Sequence, residues 1–193
     1  MDSSTPCLKK RFNALLAACA FLLASIAPGT SQAEGIVVKS AELVSVEEWF
    51  YLNTDFNVGW TPALEEALNK GISLNFILEF ELSKSRWYWF DESVVSVRQN
   101  LRISYHALTR QYQFSGHNQN KSFSTLAEVE EELNHVVGWK VFDRSLLKKG
   151  TPYNVAVRMR LDLKQLPKPL QIDALGSKDW DLAADWHRGT FTP

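Results

Sequence analysis

The 193-residue chain has two cysteines, Cys7 and Cys19, and none after position 19. A disulfide framework is therefore excluded for the rest of the chain, which must be stabilised by its core. Charge of either sign is also nearly absent in excess: 21 basic against 22 acidic residues give a net −1. Nucleic-acid binders usually carry a basic stripe, so that class is disfavoured. Apolar runs are short. The longest, residues 14–27, falls below the roughly 20 residues that a membrane-spanning helix needs. Repeats and low-complexity tracts are lacking, and with 45% hydrophobic and 22% charged residues the composition is neither collagen-like nor disordered.

Recurrent catalytic signatures are missing too. There is no Gly-x-Ser-x-Gly elbow, no Cys-x-x-Cys, no His-Glu-x-x-His and no glycine-rich phosphate loop. Glu132 and His135 form one Glu-x-x-His pair, where a di-metal carboxylate site needs two such pairs and further glutamates. Asp91 and Glu92 are adjacent, and neighbours on a turn diverge, so they read as a solvated turn before a glycosidase pair. The sequence therefore nominates no catalytic residue, no metal ligand and no cofactor.

What is present begins with an address. Lys9, Lys10 and Arg11 precede the apolar run, Pro28 and Gly29 end it, and Ser31-Gln32-Ala33 places small residues before Glu34. This is the tripartite pattern of a secretory signal peptide. The expected organisation is a leader over 1–33 and one globular domain over 34–193, a length that buries about 70% of its unfolded surface. Removing the leader leaves 18 basic against 21 acidic residues. Leu16-Ala17-Ala18-Cys19 matches a lipobox, but a lipobox cysteine closes the apolar region, and here residues 20–27 continue it. Lipoprotein anchoring and an uncleaved anchor are thus the weaker alternatives to a soluble periplasmic chain.

Strand signals dominate the remainder. Ile72, Leu74, Phe76, Leu78, Phe80 and Leu82 alternate with mostly polar residues. Tyr153, Val155, Val157, Met159, Leu161 and Leu163 do the same, and Val95, Val97, Leu101, Ile103 and Tyr105 nearly so. Period-two alternation of this length indicates half-buried antiparallel strands. Weaker strand signals cover 36–46, 49–56, 109–115 and 180–187. Two helices interrupt. One lies between an N-cap at Thr61, with Pro62 following, and Gly71. The other spans 126–137, with a Thr125/Glu128 capping box and Gly138 beyond. A turn is expected over 144–149. Strands in runs rather than in strict alternation with helices predict an α+β, mainly β fold: a long-stranded antiparallel sheet or open sandwich with two short helices.

Two surface features stand out. Arg98 and Arg102 project from one strand, Arg158 and Arg160 from another, all on polar faces. They form a candidate anion- or partner-binding patch, because guanidinium groups pair bidentately with carboxylates and phosphates. Glu79, Glu81 and Asp162 have the same polarity, so internal cross-strand pairing competes with that role. Arg86, Trp87, Tyr88 and Trp89, followed by Phe90, place four aromatics in one connection. Alternation sends Trp87 and Trp89 to one side and Tyr88 and Phe90 to the other, so one pair is a candidate partner anchor. Trp180 and Trp186 share a side with Leu182 and Ala184, which predicts core.

Several landmarks occur in a specific order: Leu64-Glu65-Glu66-Ala67-Leu68 before Gly71, Arg86-Trp87-Tyr88-Trp89-Phe90-Asp91, Leu101-Arg102-Ile103-Ser104-Tyr105, Leu108-Thr109-Arg110-Gln111-Tyr112, Leu166-Pro167-Lys168-Pro169-Leu170-Gln171, and Trp180 with Trp186. In this order the chain resembles the proteobacterial domain-of-unknown-function family 4390. The resemblance implies an exported envelope protein of a Gram-negative bacterium, with an envelope partner such as a membrane sensor kinase, and assigns no activity. The functional expectation is a soluble, non-enzymatic interaction or sensory accessory protein of the periplasm. The alternative is a carrier of an amphipathic or lipid-like ligand, held between curved strands; an enzyme of unfamiliar type ranks third. Intact-mass analysis of periplasmic material is expected to show a chain beginning at Glu34. A mass retaining residues 1–33, or a diacylated Cys19, would overturn the leader assignment.

Overall fold

The computed structural model describes residues 35–86, 88, 91–116 and 119–193. The expected leader and Trp87, Trp89 and Phe90 lie outside the described residues. Strand β3 (Leu74–Lys84) illustrates how the pattern becomes structure. Leu74, Phe76, Leu78, Phe80 and Leu82 all turn inward and lose all exposure to solvent. β8 (Tyr153–Leu161) lies on one side of it and β4 (Glu92–His106) on the other, both antiparallel. β5 (Gln111–Gly116) and β6 (Gln119–Phe123) extend the sheet beyond β4, and β9 (His187–Phe191) extends it beyond β8. The order is β6-β5-β4-β3-β8-β9.

A second antiparallel sheet is built from β1 (Ile36–Val46), β2 (Trp49–Val58) and β7 (His135–Asp143), in the order β1-β2-β7. Phe50, Leu52, Thr54, Phe56 and Val58 alternate inward from β2. The two sheets meet through aromatic side chains: Phe80 stacks on Phe142 at 5.8 Å and meets Trp139 edge-on at 6.4 Å. Phe142 stacks on Phe50 at 4.9 Å, and Phe50 in turn meets Phe191 at 5.3 Å. Offset and edge-on ring pairs of this kind add about 0.5–1.5 kcal/mol each beyond the area they bury. The expected mainly β fold takes the form of a two-sheet sandwich, with all these elements in the compact unit Ala33–Pro193.

The helices form where their caps allow. α1 (Pro62–Asn69) starts with the Thr61 hydroxyl accepting from the Leu64 amide, and it buries Leu64, Ala67 and Leu68. α2 (Leu126–Asn134) has the full Thr125/Glu128 capping box and buries Val129 and Leu133. It packs against β2, β5, β6 and β7, and so touches both sheets.

Three local expectations need correction. The second helix stops at Asn134, short of Val137, and the chain passes directly into β7. Val136, Val137, Trp139, Val141 and Phe142 favour a pleated, half-buried surface, and Asn134 Oδ1 accepts the Val58 amide at 3.1 Å, tying the helix end to β2. Gly138 serves as the irregularity of β7 instead of a helix stop: it sits at φ 71°, where the register against β2 shifts, and donates its amide to Asn53 Oδ1. A third helix, α3 (Lys168–Ala174), was not expected. Finally, 180–187 is not a strand. A 3₁₀ turn (Lys178–Trp180) leads into an extended segment that touches β8 through the Leu161–Leu182 and Ala184–Met159 backbone bonds, and regular pairing begins only at His187. The alternation still sorts burial, since Trp180, Leu182 and Ala184 are buried and Trp186 partly so. The expected turn after β7 is a 3₁₀ turn (Arg144–Leu146), capped by Asp143.

Leu78 faces Met159 and Gln99 across its two neighbouring strands and has no exposure. Leu78→Ala and Leu161→Ala are each expected to cost about 2–5 kcal/mol in denaturant unfolding. Losses under about 0.5 kcal/mol would mean that the inward face has been misassigned.

Candidate functional site

β3 lies between β4 and β8, so its outward residues are flanked by theirs. Glu79 sits opposite Arg98 on one side and Arg158 on the other. Its carboxylate is 3% exposed and receives three guanidinium groups: Arg98 Nε at 2.9 Å, Arg158 Nε at 2.6 Å and Arg160 Nε at 3.2 Å. Burial opposes ionisation of Glu79, but the hydrogen bonds and charges of Arg160 and Arg158 outweigh it and hold the pKa below the usual value of 4.5. The Arg158 guanidinium also stacks 4.2 Å from the centre of the Trp186 ring. A single carboxylate among three cations leaves two positive charges uncompensated within this cluster.

Arg102 does not join the other three arginines. It donates to the Ser73 hydroxyl at 2.8 Å and faces a different space. Arg98 and Arg102, with Asn100 between them, line an open cleft of about 890 Å³ that wraps the edge of β4. Ser115, Gly116, Gln119 and Asn120 close one side at the β5–β6 hairpin, and Gly138, Trp139 and Lys140 of β7 close the other. Among the described residues, no acidic side chain lines this cleft. Lys140 holds its ammonium over the Trp49 ring, 3.3 Å from the ring centre, and is thereby engaged within its own sheet. The cleft is polar and cationic, suited to carboxylates or other anions.

The aromatic connection is only partly in view. Arg86 pairs with Glu92 at 2.6 Å, which lowers the carboxyl's pKa and holds the guanidinium, and Tyr88 is 65% exposed. Trp87 and Trp89 lie outside the described residues, so their anchoring role remains a proposal. Asp91 accepts from Asn154 at 3.0 Å while Glu92 binds Arg86, so the two adjacent carboxylates are engaged separately.

One polar constellation has the residue types of a nucleophilic site. Ser40, Asp55 and His135 are linked: the Ser40 hydroxyl donates to Asp55 Oδ2 at 2.6 Å, and His135 Nδ1 lies 2.7 Å from Asp55 Oδ1. Here the carboxylate occupies the middle. The hydroxyl bonds to Asp55 and not to the imidazole, whereas a base must take the proton of the nucleophile directly. The hydrogen bonds from Ser40 and His135 lower the pKa of Asp55. His135 Nε2 turns towards Glu131 at 3.3 Å, while Glu132, its Glu-x-x-His companion, pairs with Lys121. No group of three or more potential metal ligands occurs among the described residues.

Between the sheets, a cavity of about 220 Å³ is lined by Ala41, Leu43, Leu52, Val155, Val157 and Phe191 among others. That is below the roughly 300–1,000 Å³ of small-molecule sites. Lys140 is the cleft residue that periodicity missed, because the first residues of its strand, 135–137, read as the tail of a helix. The alternation of Val136 with Trp139 and Val141 is broken at Gly138, which hides the strand.

Glu79→Gln is expected to cost about 2–3 kcal/mol at pH 7, since it removes the buried counter-charge of three arginines that themselves keep partial contact with water. Because the folded pKa of Glu79 is depressed, its contribution is complete above about pH 4.5 and is lost as pH falls through the folded value. The stability gap between parent and variant should therefore shrink on acidification, as measured by urea unfolding at pH 7 and near pH 3. A gap independent of pH would contradict the assignment.

Comparison with known proteins adds a family and no activity. No curated protein and no solved structure matches the chain. The family model described as domain of unknown function (DUF4390) matches residues 33–190, which covers every strand and helix described above except the last residue of β9. The chain belongs to the DUF4390 family, whose description is a domain of unknown function.

Proposed function

We propose that this chain is an exported, soluble protein of the bacterial periplasm that acts by binding an envelope partner, as an interaction or sensory accessory protein. The observation that carries this reading is the cationic cleft at the edge of β4, where Arg98 and Arg102 stand together with no acidic residue among the described lining residues. Its chemistry is recognition: guanidinium and ammonium donors are presented on rigid strands, beside amide side chains that add specificity. The linked Ser40, Asp55 and His135 are wired for stability, with the carboxylate between the other two. The carrier alternative draws little support from an inter-sheet cavity of about 220 Å³. The export signal at residues 9–33 supports the periplasmic setting, and among the described residues no helix is long and apolar enough to cross a membrane.

Site-specific photo-crosslinking in living cells tests this. A photoreactive residue at Asn120, on the lip of the cleft, is expected to capture one defined envelope protein. The same residue at exposed Leu175, which is absent from that lining, is expected to capture none. Arg102→Glu should reduce the yield from Asn120 at least about tenfold, as expected for a charge reversal at a complementary interface. Retention of the protein in the cytoplasm, or equal capture from both positions, would overturn the reading.

A further inference from the structure

Both sheets end on the side of the cleft with a bare strand edge. β4 runs from Glu92 to His106, yet β5 covers it only from Arg102 onward. Over residues 93–101, β4 pairs with β3 alone among the described residues. The mismatch has a local cause. β5 ends at Gly116, packed so closely on Leu101 that an added Cβ would lie 2.5 Å from Leu101 Cδ2, and the chain there turns into β6.

Bare edges are templates for further pairing, which proteins usually blunt with proline, bulges or charge. β4 has no proline, and it pairs with β3 without a break from Val95 to Ile103. Its charged residues at the cleft, Arg98 and Arg102, have one sign. Two copies of this edge would bring arginine against arginine, so charge disfavours self-pairing. An added strand would place alternate side chains on the outer face, beside Arg98 and Arg102. The others would fall on the inner side, towards Gln99 and Trp139. The complement is an extended segment that alternates acidic with apolar residues.

We propose that the bare edge of β4, residues 93–101, takes an extended acidic segment of a partner protein as an added strand in line with β5, its carboxylates meeting Arg98 and Arg102. This rests on the interaction role proposed above and names its mode: backbone hydrogen bonds supply affinity, and the alternate side chains supply selectivity.

The test uses the purified protein and end-capped octapeptides alternating Glu with Val, followed by fluorescence anisotropy and amide hydrogen exchange. Two further peptides are N-methylated, each on one alternate set of amides. Strand addition turns only one set towards β4. One methylated peptide should therefore bind like the parent, and the other at least about tenfold more weakly. A Lys/Val peptide should also lose about tenfold or more, as should the Arg102→Glu protein, which leaves the Glu79 cluster intact. Exchange should slow at residues 93–101. The proposal is overturned if no peptide binds, if both methylated peptides match the parent, if residues 93–101 gain no protection, or if phosphatidylglycerol vesicles bind while peptides do not. Photo-crosslinking separates the two levels: continued capture of a partner from Asn120 would preserve the interaction role while the edge mechanism falls.

Discussion

β3 is paired along both edges, and its outward-facing Glu79 imposes the constraint on which the rest of the structure depends. A carboxylate buried in the middle of a sheet must be compensated by its immediate neighbours, because desolvation alone would neutralise it. The neighbours that satisfy it are Arg98 on β4 and Arg158 and Arg160 on β8. Those pairings select both adjacent strands and their registers: a slip of one residue would turn the arginines into the core. On the opposite face the same strand carries Phe80, whose contacts with Phe142 and Trp139 seat the second sheet. An ionic lock outside and an aromatic contact inside therefore act through adjacent residues of one strand.

The outer arginines have two roles that differ in kind. Those gathered on Glu79 contribute to fold specificity, while the excess of positive charge they leave is carried to the sheet surface. Arg98 belongs to both groups, because it bonds Glu79 and also lines the cleft. Any anion that enters the cleft therefore competes with Glu79 for one guanidinium. Occupancy and the ionisation of a buried carboxylate are linked through that side chain, and the linkage must run equally in both directions.

The sequence was legible where a single physical rule decided the outcome. Alternation in β3 and β8 picked out the inward face because both strands bury one side, with buried Glu79 and half-buried Val155 as the departures. Thr61 and Thr125 announced helix starts because an unpaired amide at a helix end needs an acceptor. It was illegible where two rules competed. At 135–143 a capped helix ran directly into a strand, and the glycine at the bulge looked like a helix stop. At 181–186 the alternation was genuine, but the chain touched β8 at too few points to form a ladder. For the site, the arginines and Glu79 could be assigned to strand faces, but sheet order could not. Only the placement of β3 between β4 and β8 brings three cations onto one acid and leaves Arg102 apart. Lys140 reaches the cleft from the other sheet, a contact across layers that no periodicity records.

The two neighbours of β3 come from very different distances along the chain. β4 follows it directly, whereas β8 begins at Tyr153 and is separated from it by four strands and a helix. Pairing across such a span must offset a large loop-closure entropy before any contact rewards it. Until Arg158 and Arg160 arrive, Glu79 has Arg98 as its one partner within the cluster and Phe80 has half of its sheet. The core is therefore completed by a long-range pairing, and a chain truncated before Tyr153 contains the ingredients of the sandwich without the strand that closes it.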